Sequence, residues 1–255
     1  MLLERTGHVA RIRMRRPERG NAIDGEMLGE LAAAAAACED DEEAYAVVLG
    51  SEGDVFCSGW DGSALAAGEG ALAWARRERI LGDSFSFLAR LSRPVVAAIK
   101  GDALSAGLEL ALACDVRIAG ESARFGLPET AMGLLPMGGG SQRLPRVVGR
   151  AQALEMILLG KIVDAREALR CGLVNSVVAD GEVDAAAQAV AERIAARGPL
   201  AVRYAKEAVL RGMEMPLEQA LRFETDLTVI LQTTEDRAEG VRAFLEKRGP
   251  RFKGK

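Results

Sequence analysis

Histidine is almost absent from this chain of 255 residues, which contains only His8. His8 lies in a segment whose alternating apolar and polar residues predict an N-terminal strand. A catalytic triad that depends on histidine and a histidine-rich metal site are therefore nearly excluded. We expect any general acid or base to be a carboxylate, a lysine, a tyrosine or a cysteine.

Cysteines are few and scattered, with no close pair of the kind that binds zinc: Cys38, Cys57, Cys114 and Cys171. We expect buried thiols in a reducing compartment rather than disulfides or a metal site. No apolar run reaches the length of a membrane span, and the first sixteen residues lack the apolar core and cleavage site of a secretory signal. These absences predict a cytoplasmic protein with no membrane partner.

An excess of positive charge is missing as well, because the formal net charge is −4 at pH 7. A chain of this charge is not expected to bind nucleic acid nonspecifically. Hydrophobic residues make up 49% and charged residues 27% of the sequence, which is ordinary for a globular protein. The length suits one large domain, with or without a smaller appendage.

Short apolar strands alternate with helical patterns through most of the chain. The segments "HVARIRMRR", "YAVVLGS", "RPVVAAIKG" and "VRIAG" are typical of strands, and this order predicts an α/β core over residues 1–198. After "ARGPLA" the strands stop, and we expect an all-helical segment over residues 199–255. Helical patterns in the core include those at 71–91, 150–160, 164–170 and 181–197. The final segment has three, at 200–212, 216–231 and 235–248.

Glu109 is the one carboxylate between Leu104 and Cys114 in the stretch "DALSAGLELALACD". It is either a solvated residue on a narrow exposed stripe or a desolvated group whose raised pKa suits proton transfer. The preceding "SAG" follows a strand and opens a helix. The first amides of a helix lack intrahelical partners, so they can stabilise an oxygen that gains negative charge.

Two further stretches carry candidate groups, each with an ordinary structural alternative. The turn "CSGWDGS" is either a simple strand-to-helix connection or the source of a second backbone N–H donor. Glu129 in "FGLPET" is either an exposed turn residue or a functional carboxylate. The glycines of "PMGGGSQRL" are not followed by "GK[ST]", so the pattern of a nucleotide-binding loop fails.

Together these motifs resemble the enoyl-CoA hydratase/isomerase (crotonase) family over nearly the whole chain. The matching stretches are "RRPERGNAI", "VFCSGWD", "RPVVAAIKGDALSAGLELALACDVRIA", "FGLPETAMGLLPMGGGSQRLPRVVG", "GLVNSVV" and "EDRAEGVRAFLEKRGPRFKGK". The resemblance implies a spiral of ββα units followed by C-terminal helices. In the family those helices complete a homotrimer, often stacked in pairs as a hexamer.

The resemblance also implies an activity, the addition of water across the 2,3 double bond of a 2-enoyl-CoA to give a 3-hydroxyacyl-CoA. Glu109 and Glu129 fall on the positions of the family's two catalytic glutamates, where the first activates the water and the second exchanges the α-carbon proton. The backbone N–H groups of Trp60 and Ala106 would form the oxyanion hole. Two carboxylates favour hydration or dehydration, and coenzyme A enters only as part of the acyl-CoA substrate, with no metal and no other cofactor.

Coenzyme A contacts follow from the same resemblance. The family binds the adenine against the backbone of the "CSGWD" turn, which implicates Ser58, Trp60 and Gly62. Arg19 and Lys247 match basic positions that approach the phosphates or the nucleotide end of a neighbouring subunit's ligand. For both of these cations, a solvated surface position is the alternative.

Three departures from the family pattern leave the acyl group open. Ala106 stands in a triplet that is usually all glycine, so its backbone angles matter. Trp60 replaces a small residue, and Met137 replaces a glycine in the acyl pocket. The "GWD" turn is similar to carnitinyl-CoA dehydratase-like members, whose trimethylammonium substrate an aromatic ring can attract. An enoyl-CoA isomerase is a further hypothesis, and so is a non-catalytic acyl-CoA-binding homologue, although the intact glutamate pair argues against a mere binding protein.

Overall fold

A computed structural model of the chain describes residues 1–62 and 84–255. These residues form one sheet of six strands, in the order β1-β2-β3-β4-β6-β9, and one of three, in the order β5-β7-β8. The strands are β1 (Leu2–Thr6), β2 (Val9–Met14), β3 (Ala46–Ser51), β4 (Val95–Ile99), β5 (Asp102–Leu104), β6 (Val116–Gly120), β7 (Arg124–Gly126), β8 (Val163–Asp164) and β9 (Ser176–Val178).

Helices lie between and after the strands. Those in the described ranges are α1 (Gly25–Asp40), α2 (Ser86–Ala89), α3 (Ala106–Leu112), α4 (Gly140–Val148), α5 (Arg150–Leu158), α6 (Ala165–Arg170), α7 (Val183–Ala195), α8 (Pro199–Gly212), α9 (Leu217–Gln232) and α10 (Glu235–Leu245). Asp24 is the N-cap of α1. Its side chain accepts a hydrogen bond of 2.9 Å from the Met27 amide, and aspartate is a preferred residue at this position.

The large sheet is covered on both faces. Strands β2, β3, β4, β6 and β9 pair in parallel, and every residue of β3 and β4 is buried. Alternate residues of β3 enter two different cores. Val47 and Leu49 pack with α1, whereas Ala46 and Val48 pack with α7. Burial on both faces explains why these strands are almost continuously apolar in the sequence.

The small sheet fixes where the chain turns from β5 into α3. Strand β5 pairs in parallel with β7, and the Ser105 amide extends this pairing by donating to the Gly126 carbonyl at 2.9 Å. Helix α3 begins at Ala106, directly after this bond. The "SAG" triplet is therefore held at the edge of a sheet rather than in a mobile connection.

The sequence-based expectations for the core agree with the structure, and the α/β class is confirmed. The strands expected at "YAVVLGS", "RPVVAAIKG" and "VRIAG" are β3, β4 and β6, and the three expected final helices are α8, α9 and α10. The helix expected over 71–91 lies largely outside the described residues. The division at residue 198 into two parts stays a prediction. Among the helices within the described ranges, none has the length and apolar character needed to cross a membrane.

Candidate active site

The "CSGWD" turn lies against the start of α3. The Cys57 amide donates to the Asp102 carbonyl at 2.9 Å, and the Leu104 amide donates to the Cys57 carbonyl at 3.1 Å. Two glycines permit this approach. A Cβ on Gly107 would overlap the Cys57 carbonyl oxygen, and a Cβ on Gly59 would lie 2.8 Å from the Ser105 Cβ. The structure thus brings the two expected sources of backbone donors side by side.

Both expected oxyanion amides are free to donate. The Ile23 amide donates to the Gly59 carbonyl and the Asp61 amide donates to the Ile23 carbonyl, each at 2.8 Å. This pairing skips the Trp60 amide. Ala106 is the first residue of α3, so its N–H has no intrahelical acceptor. Within residues 1–62 and 84–255, neither amide has a hydrogen-bond acceptor.

Ala106 does not need the backbone freedom of glycine. The residue with positive φ is its neighbour Ser105, at φ 51° and ψ −124°. This region of backbone space is unusual for a residue with a Cβ and costs on the order of 1–3 kcal/mol. In the turn into α3 it is therefore Ser105 that adopts the unusual backbone angles. Ala106 presents its N–H with an ordinary negative φ.

Glu109 is completely buried, so the interpretation as a solvated stripe is wrong. Every residue of α3 is buried, and the Glu109 Oε1 accepts a hydrogen bond of 2.8 Å from the Gly140 amide. Its Oε2 has no hydrogen-bond partner in the described part of the chain. The pKa of Glu109 is raised to about 7, mainly by burial and also by the nearby charge of Glu129, while the Gly140 N–H opposes the rise. A carboxyl with this pKa can exchange protons near neutral pH.

The glycine triplet at 138–140 closes around Glu109. Gly140 is the first residue of α4, and its otherwise unpaired amide holds the Glu109 Oε1. A Cβ on Gly140 would lie 3.0 Å from that oxygen, and a Cβ on Gly138 would lie 2.9 Å from the Oε2. The triplet thus supports a carboxylate. Sequence reasoning missed this role, although the position of the glycines before a helix start was a usable signal.

Glu129 is also buried, which rules out the exposed-turn alternative. It lies in a 3₁₀ turn, Pro128–Met132, and is 1% exposed. Neither of its carboxylate oxygens has a hydrogen-bond partner across the two described ranges. Burial raises the pKa of Glu129, and the neighbouring Ser105 hydroxyl opposes the rise without standing in hydrogen-bonding geometry. The two glutamates together present three unpartnered oxygens, which is the arrangement expected of groups that meet a ligand.

The Trp60 side chain turns into the same region. Its ring stacks on that of Phe85, with centroids 5.8 Å apart and planes inclined by 25°. The indole Nε1–H is buried and has no hydrogen-bond acceptor among the described residues. The indole N–H favours the ionised form of Glu109 and so lowers the pKa of that carboxyl, although the two groups lie outside hydrogen-bonding geometry. The structure therefore places the indole beside Glu109.

The other residues expected to bind coenzyme A divide into two groups. The Ser58 amide donates to the Gly20 carbonyl at 2.9 Å, which joins the turn at Arg19 to the "CSGWD" turn. The Arg19 guanidinium, about half exposed, pairs with Asp61 at 3.3 Å, and Gly62 is exposed at the end of the same turn. Arg19, Ser58, Trp60 and Gly62 thus form one surface.

No hydrogen bond or ion pair joins the Lys247 side chain to this surface among the described residues. It follows α10, which packs against α9 and is capped by the C-terminal segment through bonds from the Lys253 and Gly254 amides to Asp236. Met137 is half-buried and directly precedes Gly138, which places it beside Glu109. Across the described ranges, no three His, Cys, Asp or Glu side chains cluster as metal ligands. The expectation that no metal or separate cofactor takes part stays a prediction.

Known proteins resemble this chain along its whole length. The enoyl-CoA hydratase/isomerase family model matches residues 4–255. A short-chain-enoyl-CoA hydratase from Clostridium acetobutylicum is 39% identical over 250 residues, which cover 97% of this chain and 95% of that protein. A crotonyl-CoA hydratase from Syntrophomonas wolfei is 37% identical over 255 residues, with 99% and 97% covered. The solved enoyl-CoA hydratase from Bacillus anthracis superposes with a TM-score of 0.95 at 38% identity, covering 100% of this chain and 99% of the other. The chain therefore belongs to the enoyl-CoA hydratase/isomerase family and has its fold.

Proposed function

We propose that this protein is an enoyl-CoA hydratase that adds water across the 2,3 double bond of a 2-enoyl-CoA ester. The observation that carries the proposal is the meeting of two buried glutamates, Glu109 and Glu129, with two free backbone amides. Relatives named as hydratases of short-chain-enoyl-CoA and crotonyl-CoA support the substrate class.

The amides of Trp60 and Ala106 hold the thioester carbonyl oxygen in this mechanism. Negative charge gathers on that oxygen as the C3 carbon is attacked, so donors fixed in advance lower the barrier. Both glutamates are buried, and a low dielectric strengthens each hydrogen bond to the forming enolate. Both donors come from the backbone, so the side chains of Trp60 and Ala106 can have other roles.

The two glutamates move protons at neighbouring carbons. Ionised Glu109 takes a proton from water as the water oxygen bonds to C3, and protonated Glu129 gives its proton to C2. The C2–C3 double bond becomes a single bond and the product is the 3-hydroxyacyl-CoA. One carboxyl gains a proton and the other loses one, so exchange with solvent restores the pair. Burial raises the pKa of both groups, which suits carboxyls that exchange protons during the reaction.

A carnitinyl-CoA dehydratase activity is the second candidate. The half-buried Trp60 ring lies beside Glu109, near the reacting part of the acyl group. A trimethylammonium group over one face of this ring is attracted to it by a cation–π interaction. Stacking on Phe85 occupies the other face. Met137 lies at the same end of the site, and we propose that both side chains shape the acyl pocket.

We also propose a homotrimer, or a hexamer of two trimers, in the cytoplasm. Large apolar side chains on the C-terminal helices support association, since Met213, Leu217, Phe244 and Leu245 are each 68% exposed or more. Exposed patches of this kind commonly mark protein interfaces. Association would also give Lys247 a route to the nucleotide end of a neighbouring subunit's ligand. Light scattering of the purified protein measures the mass directly.

The test of the activity is a substrate panel. We expect crotonyl-CoA to lose its conjugated enoyl-thioester absorbance on addition of the protein, with 3-hydroxybutyryl-CoA as product. Crotonobetainyl-CoA tests the second candidate, and a 3-enoyl-CoA tests for isomerisation. Binding of CoA esters without turnover of any of them would contradict the proposal and favour a non-catalytic acyl-CoA-binding protein.

A further inference from the structure

The indole of Trp60 contains a polar group that the fold does not use. Its Nε1–H is shielded from solvent and donates to no acceptor within residues 1–62 and 84–255. A buried donor without a partner is uncommon, because it loses its hydrogen bonds to water and gains none in return. A phenylalanine in its place would avoid that cost. The stability of the fold therefore does not explain why an indole N–H stands at this position, and we look for its role in ligand binding.

The surroundings of the indole point to a ligand oxygen. The Trp60 ring stacks on Phe85, and a Cβ placed on Gly138 would touch both the Phe85 ring and the Glu109 Oε2. The Phe85 ring, Gly138 and the Oε2 are therefore packed closely against one another beside the indole. The Oε2 is the Glu109 oxygen that does not bind Gly140, and it is unpartnered as well. A buried donor and a buried acceptor that lie beside each other without a hydrogen bond between them are suited to bind the same small polar group.

We propose that the Trp60 Nε1–H and the Glu109 Oε2 hold one oxygen between them, the oxygen of the water that adds to C3. This inference rests on the proposed hydratase function. The Oε2 takes a proton from the water as its oxygen bonds to C3, while the N–H donates a hydrogen bond to that oxygen throughout. No bond to the indole nitrogen is made or broken.

The reverse reaction uses the same contacts. As the C3–O bond breaks, the electron pair leaves with oxygen, Glu109 returns the proton, and the N–H stabilises the departing oxygen. Trp60 then acts twice, through its backbone amide on the thioester oxygen and through its side chain on the oxygen at C3. Phe85 keeps the ring in place by stacking.

The substitution Trp60→Phe separates these two contributions. It keeps the backbone N–H and an aromatic ring for Phe85 to stack on, and it removes only the donor and part of the ring. We expect the kcat for hydration of crotonyl-CoA to fall about 10- to 100-fold, as for the loss of a hydrogen bond to an oxygen that develops charge.

A second reaction shows whether the loss is specific to the C3 oxygen. Exchange of the α-hydrogens of butyryl-CoA in D₂O needs Glu129 and both oxyanion amides but places no oxygen at C3. We expect Trp60→Phe to change the exchange rate by less than about threefold. Equal losses in hydration and exchange would mean that the side chain acts through the oxyanion turn or through the fold, and would overturn the inference.

A spectroscopic measurement tests the pairing without turnover and without a stable variant at position 60. The chain has two tryptophans, Trp60 and Trp74, so its indole N–H region contains two signals, assigned with either Trp→Phe variant. We expect one signal to titrate near pH 7 with Glu109 in the wild type and to stop titrating in Glu109→Gln.

The outcomes are distinguishable. A Trp60 signal that is independent of pH, or an active wild type with an equally active Trp60→Phe variant, overturns this inference alone. A wild-type protein that hydrates no enoyl-CoA overturns the proposed function, and the inference with it.

Discussion

Replacing Glu109 by glutamine is expected to stabilise the protein at alkaline pH while removing its activity. Burial raises the pKa of Glu109 from the ordinary 4.5 to about 7. The folded state therefore holds a proton that the unfolded chain releases between these pH values, so stability falls as pH rises through this window and stays reduced above it. A difference of about 2.5 pKa units corresponds to about 3 kcal/mol.

Glutamine has almost the same shape as glutamate and no charge at any pH. Its side-chain oxygen can still accept the 2.8 Å hydrogen bond from the Gly140 amide. We therefore expect Glu109→Gln to exceed the wild type in free energy of unfolding by up to about 3 kcal/mol at pH 8, with little difference at pH 5, where the folded wild type has Glu109 protonated.

Thermal unfolding at pH 5 and pH 8 measures this difference. At one fixed protein concentration, since association shifts the midpoint, we expect the Tm of Glu109→Gln to be raised by up to about 10 °C at pH 8. The matched control is Glu121→Gln, because Glu121 is an exposed glutamate in the described part of the chain. An equal rise in Tm at both pH values, or a lower Tm at pH 8, would refute the link between the burial of Glu109, its pKa and the stability of the protein.

Four further outcomes follow from the same geometry. Gly138→Ala places a methyl group against Phe85 and the Glu109 Oε2, so we expect both the Tm and the kcat for crotonyl-CoA hydration to fall, the latter at least tenfold (~1.4 kcal/mol). Ser105→Gly relieves the positive φ and should raise the free energy of unfolding in urea by about 1 kcal/mol. The kcat/KM for hydration should rise with pH through about 7 as Glu109 ionises, and a flat profile from pH 6 to 8 would contradict its role as base. Arg19→Ala should raise the KM for CoA esters severalfold and leave kcat unchanged, and a lower kcat at constant KM would be the opposite result.

Much of the core was predictable because its signals are local. Strands β3 and β4 are apolar at nearly every residue, so the sequence alone marks them as buried. The positions of Glu109 and Glu129 came from ordered motifs at family spacing, which also identified the turn and the helix start that lie beside them. Strands β5, β7, β8 and β9 have only two or three residues each, too few to show an alternating pattern.

The remaining features depend on contacts between distant segments. The glycines at 138–140 matter because they meet Glu109, about thirty positions earlier, and no local pattern shows that meeting. The direction of the Trp60 side chain depends on Phe85, and the ring partner is evident only once the chain is folded. Ser105, which has the positive φ, bonds through its amide to Gly126 in another strand. Long-range packing, rather than propensity, decides each of these.

The most direct test of the account compares crotonyl-CoA hydration by the wild type, Glu109→Gln and Glu129→Gln, with Glu121→Gln as the control. The account predicts that each active-site substitution lowers kcat by about 10²- to 10⁴-fold, the usual effect of losing a general acid or base, and that the control stays within about twofold. Glu109→Gln or Glu129→Gln working at close to the wild-type rate would contradict the claim that these two buried carboxyls carry out the reaction.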